Sequence, residues 1–364
     1  MKPLSCPLKL RFDPQQFPEL HKEDLRTGLS GVARQGPHLW SIADEAAAIE
    51  RLREVKPGEY AEHRSFPLSD LIDFPDPDDS DFDLEGIDCD GKYVWICGSH
   101  SLSRKKPDSP EHDGRLALKQ LRDIRCQRNH YLLARIPLTE TGELRRKDGD
   151  RRAGVLRGGD HKNELAKALC KDPVLSTFVA LPDKDNGPNI EGIAVHGKKV
   201  FLGLRSPVIN GWAVVLCIEV EEDGPGLLRL KKRGPEGRLF TKHFFPCEGL
   251  GFRDLKFDGE DLLLIAGPAL IAKSPFVLYR WTGAARARND SFIHEKNLLR
   301  LGELPTRDSR NEMRDRAEGL ALLNGEAARY LVVHDKPAPW RIRRSSLYIA
   351  DVYQAPKLSL RRSS

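Results

Sequence analysis

A short pattern recurs along the 364 residues: an acidic residue or Ser, then Gly, an aliphatic residue, a turn, and an apolar strand ending in polar residues. Its copies open at Ser30-Gly31-Val32, Glu85-Gly86-Ile87, Glu191-Gly192-Ile193, Arg253-Asp254-Leu255 and Glu318-Gly319-Leu320. Turn formers follow each opening, at Gln35-Gly36, Asp90-Gly91, His196-Gly197, Asp258-Gly259 and Asn324-Gly325. Beyond them lie apolar runs such as Tyr93 to Cys97 and Leu262 to Ala266, so each copy reads as a β-hairpin. The openings are 55, 106, 62 and 65 residues apart, which leaves room for four strands per copy. This period predicts an all-β fold: a single β-propeller of four-stranded blades spanning 1–364, with five blades, or six if the 106-residue interval holds another.

Later strands are expected at Tyr131 to Ile136 and Val174 to Leu181, Ala213 to Glu219, Leu239 to Phe245, Phe276 to Trp281, and Leu347 to Val352. Asp44 to Glu54 has a helix-forming composition, but the repeat requires a strand there. The long second interval reads as one blade with a basic insertion over about 139–173. The insertion carries a short helix, capped by Asp160 and marked by Leu165, Ala168 and Leu169. Its run Arg145-Arg146-Lys147 reads as a solvated loop. A ring of blades must close to avoid an open edge, and the strand at about 7–12 is placed to complete the last blade.

Composition narrows the function classes. Lys and Arg number 59 against 54 Asp and Glu, a net charge of +5 with no concentrated basic field, which argues against a nucleic-acid partner. The most apolar run, Leu262 to Ala272, is broken by Gly267 and Pro268, so no membrane span is expected. Seven cysteines without a C-x-x-C pair, several inside apolar runs, read as free and mostly buried thiols of a cytoplasmic, monomeric protein.

In a propeller, the innermost strands line a common axis, so the residues opening them converge at one mouth. Glu85, Glu191 and Glu318 hold that position, with Asp254 one residue further on in the fourth copy and Ser30 as the neutral member. Converging carboxylates need positive charge between them. Ca²⁺ held by Glu85, Glu191, Asp254 and Glu318 is one answer, and ion pairing with Arg205, Arg253 and Arg316 is the other. No His/Cys cluster has zinc spacing. The ends of the second strands add Asp44, Ser99, His100, Arg104, Arg205, His334 and Asp335 as ligand-binding candidates, with His100 a candidate acid/base. The stretch Lys184-Asp185-Asn186-Gly187-Pro188-Asn189, leading into Glu191, is dense in oxygen ligands and offers metal, ligand-binding (Lys184, Asn186) or catalytic (Asp185) groups, or an Asx turn. The acidic run Asp73 to Glu85 reads as a charged surface loop: counted from Asp81, Lys92 stands where an EF-hand needs Glu. Neither Gly224-Pro225-Gly226 nor Gly249-Leu250-Gly251 opens a helix that would hold a phosphate.

With these motifs assembled, the chain resembles an uncharacterised bacterial domain-of-unknown-function family of β-propellers, distantly similar to esterase-like phytase propellers. The carrying residues are Leu84 to Ile87, Gly98 to Ser101 with Arg104-Lys105, Lys184 to Gly187 with Ile190 to Ile193, Leu202 to Pro207, and Gly249 to Leu255, within about 28–335. The family resemblance implies the fold and no activity. The phytase-like resemblance implies metal-dependent phosphoester or ester hydrolysis at the acidic mouth, with calcium neutralising the substrate and Arg205 and Arg253 clamping it. Ser30 and Arg253-Asp254 depart from a full acidic ring. The competing expectation is a non-catalytic propeller that binds a small polar or anionic ligand, or a protein partner, at that mouth.

Overall fold

Turn glycines at positive φ (Gly36, Gly91, Gly197 and Gly259) close hairpins in which an inner strand pairs antiparallel with a second strand. The computed structural model describes residues 1–16, 24–105, 107, 114–158, 162–234, 236–270, 274–309, 312–323 and 328–354. The hairpins are Leu29–Gln35 with His38–Ala43, Leu84–Cys89 with Tyr93–Gly98, Asn189–His196 with Lys199–Ile209, Leu250–Asp258 with Asp261–Pro268, and Arg316–Leu323 with Arg329–Asp335. The turn expected at Asn324-Gly325 and the cap expected at Asp160 lie outside the described residues.

Two further strands extend each hairpin into a four-stranded sheet. Ala48–Lys56 and Glu59–Pro67 extend the first, Leu133–Pro137 and Gly154–Leu156 the second, and Trp212–Glu222 and Phe240–Pro246 the third. Phe276–Trp281 and Leu298–Leu304 extend the fourth. In the fifth, Leu347–Gln354 is followed by the N-terminal strand Leu8–Arg11, which also pairs in parallel with Glu59 and Tyr60 of the first unit. Ala48–Lys56 is a strand despite its helix-forming composition, because both its edges are paired.

Two expectations fail in the second unit. Val174 to Leu181 forms no strand: the Asp172 side chain accepts from the backbone N–H groups of Val174 and Leu175, and Ser176–Phe178 is a 3-10 turn. The outer strand is instead Gly154–Leu156, inside the segment taken as an insertion. The helix there is Glu164–Leu169, capped by Asn163, whose side chain accepts from Ala166 N at 3.0 Å. None of the seven cysteines forms a disulfide, but Cys6, Cys126 and Cys170 are exposed and only Cys97, Cys217 and Cys247 are fully buried. Among the described residues, no helix is long and apolar enough to cross a membrane.

The inner strands run in a closed circuit, and the glycine after each opening residue marks how tightly they pack. A Cβ on Gly31 would meet Ile87 at 3.0 Å, one on Gly86 the backbone N of Ile193 at 3.1 Å, one on Gly192 the Asp254 backbone at 3.0 Å, and one on Gly319 the backbone N of Val32 at 3.0 Å. The fourth-to-fifth step is bridged by Leu320 N, which donates to Asp254 Oδ2 at 2.7 Å. Apolar clusters fill the wedges between consecutive units. Trp40 and Ile87 share one, Trp95 and Leu216 the next, then Phe201 with Phe252, Phe276 with Tyr330, and Leu331 with Tyr60. Strands buried on both faces explain why the second-strand runs are continuously apolar. The result is an all-β propeller.

Candidate functional site

Each inner strand carries a β-bulge at the same place. The pairing skips one residue between Leu29 and Gly31, Leu84 and Gly86, Ile190 and Gly192, Phe252 and Asp254, and Ala317 and Gly319. The skipped residues are Ser30, Glu85, Glu191, Arg253 and Glu318. A bulge re-aims the extra side chain out of the ladder, and all of these line one cavity of about 450 Å³. In four of the five strands the residue two positions earlier, Gly28, Asp83, Asn189 and Arg316, lines the same cavity.

Carboxylate oxygens of Glu85, Glu191 and Glu318 lie within 4.8 Å of one another, and all three residues are buried. Arg253 is their central cation: its Nη1 donates to Glu191 Oε2 and to Glu318 Oε1, both at 2.8 Å, and its Nη2 to Pro268 O at 3.0 Å. Arg205 Nη1 lies 2.5 Å from Glu191 Oε1, too poorly aligned to donate to it, and Arg205 Nη2 donates to Asp183 Oδ2 at 2.9 Å. Glu191 is thus held between two guanidiniums. Glu85 has no hydrogen-bond or ion-pair partner among the described residues although it is only 9 % exposed. Glu318 Oε2, Asn189 Oδ1, Arg205 Nε and Arg253 Nε are also buried without a hydrogen-bond partner.

Burial pushes the Glu85 carboxyl well above its ordinary pKa, and Glu191, Asp83 and Glu318 add to the rise while Arg205 opposes it. Glu318 is raised by burial against the pull of Arg253, with Glu191 and Asp335 reinforcing the rise. Burial works against the Arg253 charge, but Glu191, Glu318 and Glu85 outweigh it and push that pKa up. At the rim, burial raises Asp44 to about 7, helped by Asp335 and Asp83. The cavity lining holds nine carboxylates (Asp44, Glu45, Asp81, Asp83, Glu85, Asp183, Glu191, Glu318 and Asp335) against four Lys and Arg (Lys184, Arg205, Arg253 and Arg316).

Of the residues expected at the site, Ser30, Asp44, Lys184, Arg205, Arg253, Arg316, Asp335, Glu85, Glu191 and Glu318 line this cavity, whereas Ser99, His100, Arg104, Asp185, Asn186, Asp254 and His334 do not. Asp254 occupies the glycine position of its copy and turns toward the neighbouring strand. Its carboxylate accepts from Lys256 Nζ at 2.8 and 3.1 Å and from the backbone of Leu255 and Leu320, each at 2.7 Å. It is therefore a pin between inner strands, set apart from the glutamate triad.

His100, 3 % exposed, is buried outside the cavity lining at φ +55°. Its Nδ1–H donates to Gly98 O at 2.9 Å and its Nε2 accepts from Asn163 Nδ2 at 2.7 Å, a pattern only the neutral ring satisfies. Burial holds its pKa down at about 4. Ser99 Oγ pairs with Ser101 Oγ at 2.9 Å and is fully buried. Arg104 and Asp185 form an ion pair with each other at 2.7 Å outside the cavity. The Asn186 side chain accepts from Val208 N at 3.0 Å and ties its loop to the strand Lys199–Ile209, a long-range bond and not a local Asx turn. His334 is buried against Tyr348 and Asp351, and burial, then Arg341, drives its pKa well down.

Sequence reasoning missed Asp81, Asp83, Asp183 and His130 on the cavity wall, whereas Asn189 there belongs to the oxygen-rich stretch Lys184 to Asn189 ahead of Glu191. Asp81 and Asp83 belong to the acidic run taken as a surface loop, and they flank His130, whose Nε2 lies 3.3 Å from Asp81 Oδ1 and Nδ1 3.7 Å from Asp83 Oδ2. Spacing held a signal for Asp83, which stands two residues before a repeat glutamate as Asn189 does. Nothing local marks His130.

Residues 28–351 match a family model described as "Protein of unknown function (DUF3616)". No curated protein matches the chain. Among solved structures, the chain is similar to the glutaminyl cyclase of Myxococcus xanthus, at 8 % identity over 96 % of this chain and 99 % of that one, with a TM-score of 0.37. It is also similar to the PQQ-bound aldose sugar dehydrogenase of Streptomyces coelicolor, at 11 % identity over 91 % and 97 % of the two chains (TM-score 0.35). A third is the arabinanase Arb43A of Bacillus subtilis, at 9 % identity over 92 % and 94 % (TM-score 0.36). Likeness at this level says nothing about activity.

Proposed function

The chain belongs to the DUF3616 family of proteins of unknown function, and from that premise we propose that the bulged ring at the channel mouth binds a small polar ligand. One observation carries the reading: five strands deliver buried polar groups into one cavity of about 450 Å³, and several atoms of those groups have no hydrogen-bond partner among the described residues. Buried polar atoms are nearly always satisfied, so an unsatisfied set facing a cavity is complementary to something that brings its own donors and acceptors. Glu318 Oε2 and Asn189 Oδ1 offer acceptors, while Arg205 Nε and Arg253 Nε offer donors. A polyhydroxylated or zwitterionic molecule matches both kinds. A simple anion faces nine carboxylates against four Lys and Arg, so it fits less well.

Thermal-shift measurements against panels of sugars, polyols, amino acids, amines and phosphates test this reading. The expected result is stabilisation by a polyol or zwitterion that disappears in Glu191→Gln, which loosens both arginines. Equal shifts in the two proteins would refute it.

A second reading, ester or phosphoester hydrolysis, is favoured by His130, the histidine on the cavity wall, lying between Asp81 and Asp83. A screen of phosphatase and esterase substrates on wild type and His130→Gln tests it. Turnover lost in the variant supports hydrolysis, and no turnover in either protein dismisses it.

A further inference from the structure

We infer that the mouth holds one calcium-type divalent cation, with Glu85, Glu318 Oε2 and Asn189 Oδ1 as its protein ligands. This deepens the binding reading above and rests on it. The assignment follows from which oxygens are already used. Glu191 Oε2 accepts from Arg253 and Glu191 Oε1, though without a hydrogen bond, is ion-paired with Arg205 at 2.5 Å, so both face guanidiniums, and Glu318 Oε1 is engaged by Arg253. Asp254 is taken by Lys256 and two backbone N–H groups. What remains is a carboxylate with no partner among the described residues, Glu85, and the second oxygen of Glu318; one carboxylate oxygen of Glu85 and one of Glu318 lie within 4.8 Å of each other. Asn189 is an independent pointer. It is 2 % exposed, lines the cavity two residues before Glu191 on the same strand, and its amide oxygen meets no donor.

An uncharged buried carbonyl without a donor does not arise from repulsion among acids. It is the environment a cation supplies. Calcium takes six to eight oxygens at about 2.3–2.6 Å, so an ion between two oxygens spaced up to ~5 Å apart is at bonding distance from both. Two carboxylates, a carboxamide and water make an all-oxygen set, and no His or Cys belongs to the triad of candidate ligands, which disfavours zinc. Glu191 then acts through others: by anchoring Arg205 and Arg253 it keeps both guanidiniums off Glu85. The cavity remains open on the rim side, where Asp83, Asp44 and Asp335 extend the negative field that draws a cation in.

The test is calcium titration of the full chain stripped with EDTA, followed by calorimetry and by the melting temperature. Wild type is expected to bind about one equivalent of Ca²⁺, to melt higher with it, and to respond less to Mg²⁺, which tolerates irregular geometry poorly. Glu85→Gln and the uncharged change Asn189→Ala are each expected to weaken calcium binding by about tenfold or more. Asp185→Asn, in the rim ion pair, is expected to leave it unchanged. Equal calcium affinity in wild type, Glu85→Gln and Asn189→Ala overturns the assignment, and so does the absence of binding heat at millimolar calcium. Running the polar-ligand panel in EDTA separates the two claims. A ligand that still binds while calcium does not overturns the metal site alone. If neither binds, both readings fall.

Discussion

Two clusters of buried charge in this chain are built to opposite standards. In the fifth unit, Arg341 is 2 % exposed and each of its three guanidinium nitrogens donates a hydrogen bond. Nε donates to Asp315 Oδ1 at 2.7 Å, Nη2 to Asp315 Oδ2 at 3.2 Å and Asp351 Oδ2 at 2.7 Å, and Nη1 to Ile349 O at 3.1 Å. Ala338 N adds a hydrogen bond to Asp315 at 2.7 Å. At the channel mouth, Glu85 has no such partner among the described residues, while Glu318 Oε2, Asn189 Oδ1 and two Arg Nε atoms lack hydrogen bonds. The first cluster is closed and locks loops together. The second is open, lines a cavity, and holds like charges against one another. Charge kept for architecture is answered within the fold, whereas charge kept for a ligand is left partly unanswered and carries its repulsion as a cost to stability.

The largest expected effect breaks the closed cluster. Arg341→Met leaves Asp315 and Asp351 buried without their cation and is expected to cost about 3–5 kcal/mol, read as a lower denaturant midpoint. Next is the closed site at His100, whose folded pKa of about 4 lies below its ordinary value of 6.5. Between those values the unfolded chain binds more protons. Its contribution is therefore complete above about pH 6.5 and is lost as pH falls toward 4, by roughly 3 kcal/mol at most. His100→Gln is expected to flatten that part of the stability-versus-pH curve, and an unchanged slope would deny the neutral, hydrogen-bonded histidine. Smaller again is Gly192→Ala, which puts a methyl 3.0 Å from the Asp254 backbone and is expected to cost about 1–3 kcal/mol by forcing apart two inner strands. The smallest is Arg104→Ala on the solvent side of the rim, expected to change the unfolding free energy by less than about 0.5 kcal/mol.

The hairpins were legible because Gly turns and unbroken apolar runs are local signals, and the convergence of Glu85, Glu191 and Glu318 followed from aligning them. The same alignment already set Arg253 level with the glutamates. Asp254 was misjudged because its charge was weighed ahead of its register: it holds the glycine slot, and Lys256, two residues on along the strand, was the visible sign of its partner. The strand proposed at Val174 ignored Asp172-Pro173, a turn-initiating pair that in the fold caps its own turn. His100 could not be placed from its neighbours, since the group that fixes its ring is Asn163, 63 residues away. His130 was likewise beyond reach, because the acids flanking it arrive from a different loop.

The claim that the mouth is charged for a ligand and against stability is tested most directly by the unfolding free energy of Glu85→Gln in calcium-free buffer. Removing a buried carboxyl that has Glu191, Asp83 and Glu318 around it and no partner of its own should leave stability unchanged or raise it by about 1 kcal/mol. A loss of about 2 kcal/mol or more would place Glu85 among the closed, structural charges beside Arg341 and would contradict the account.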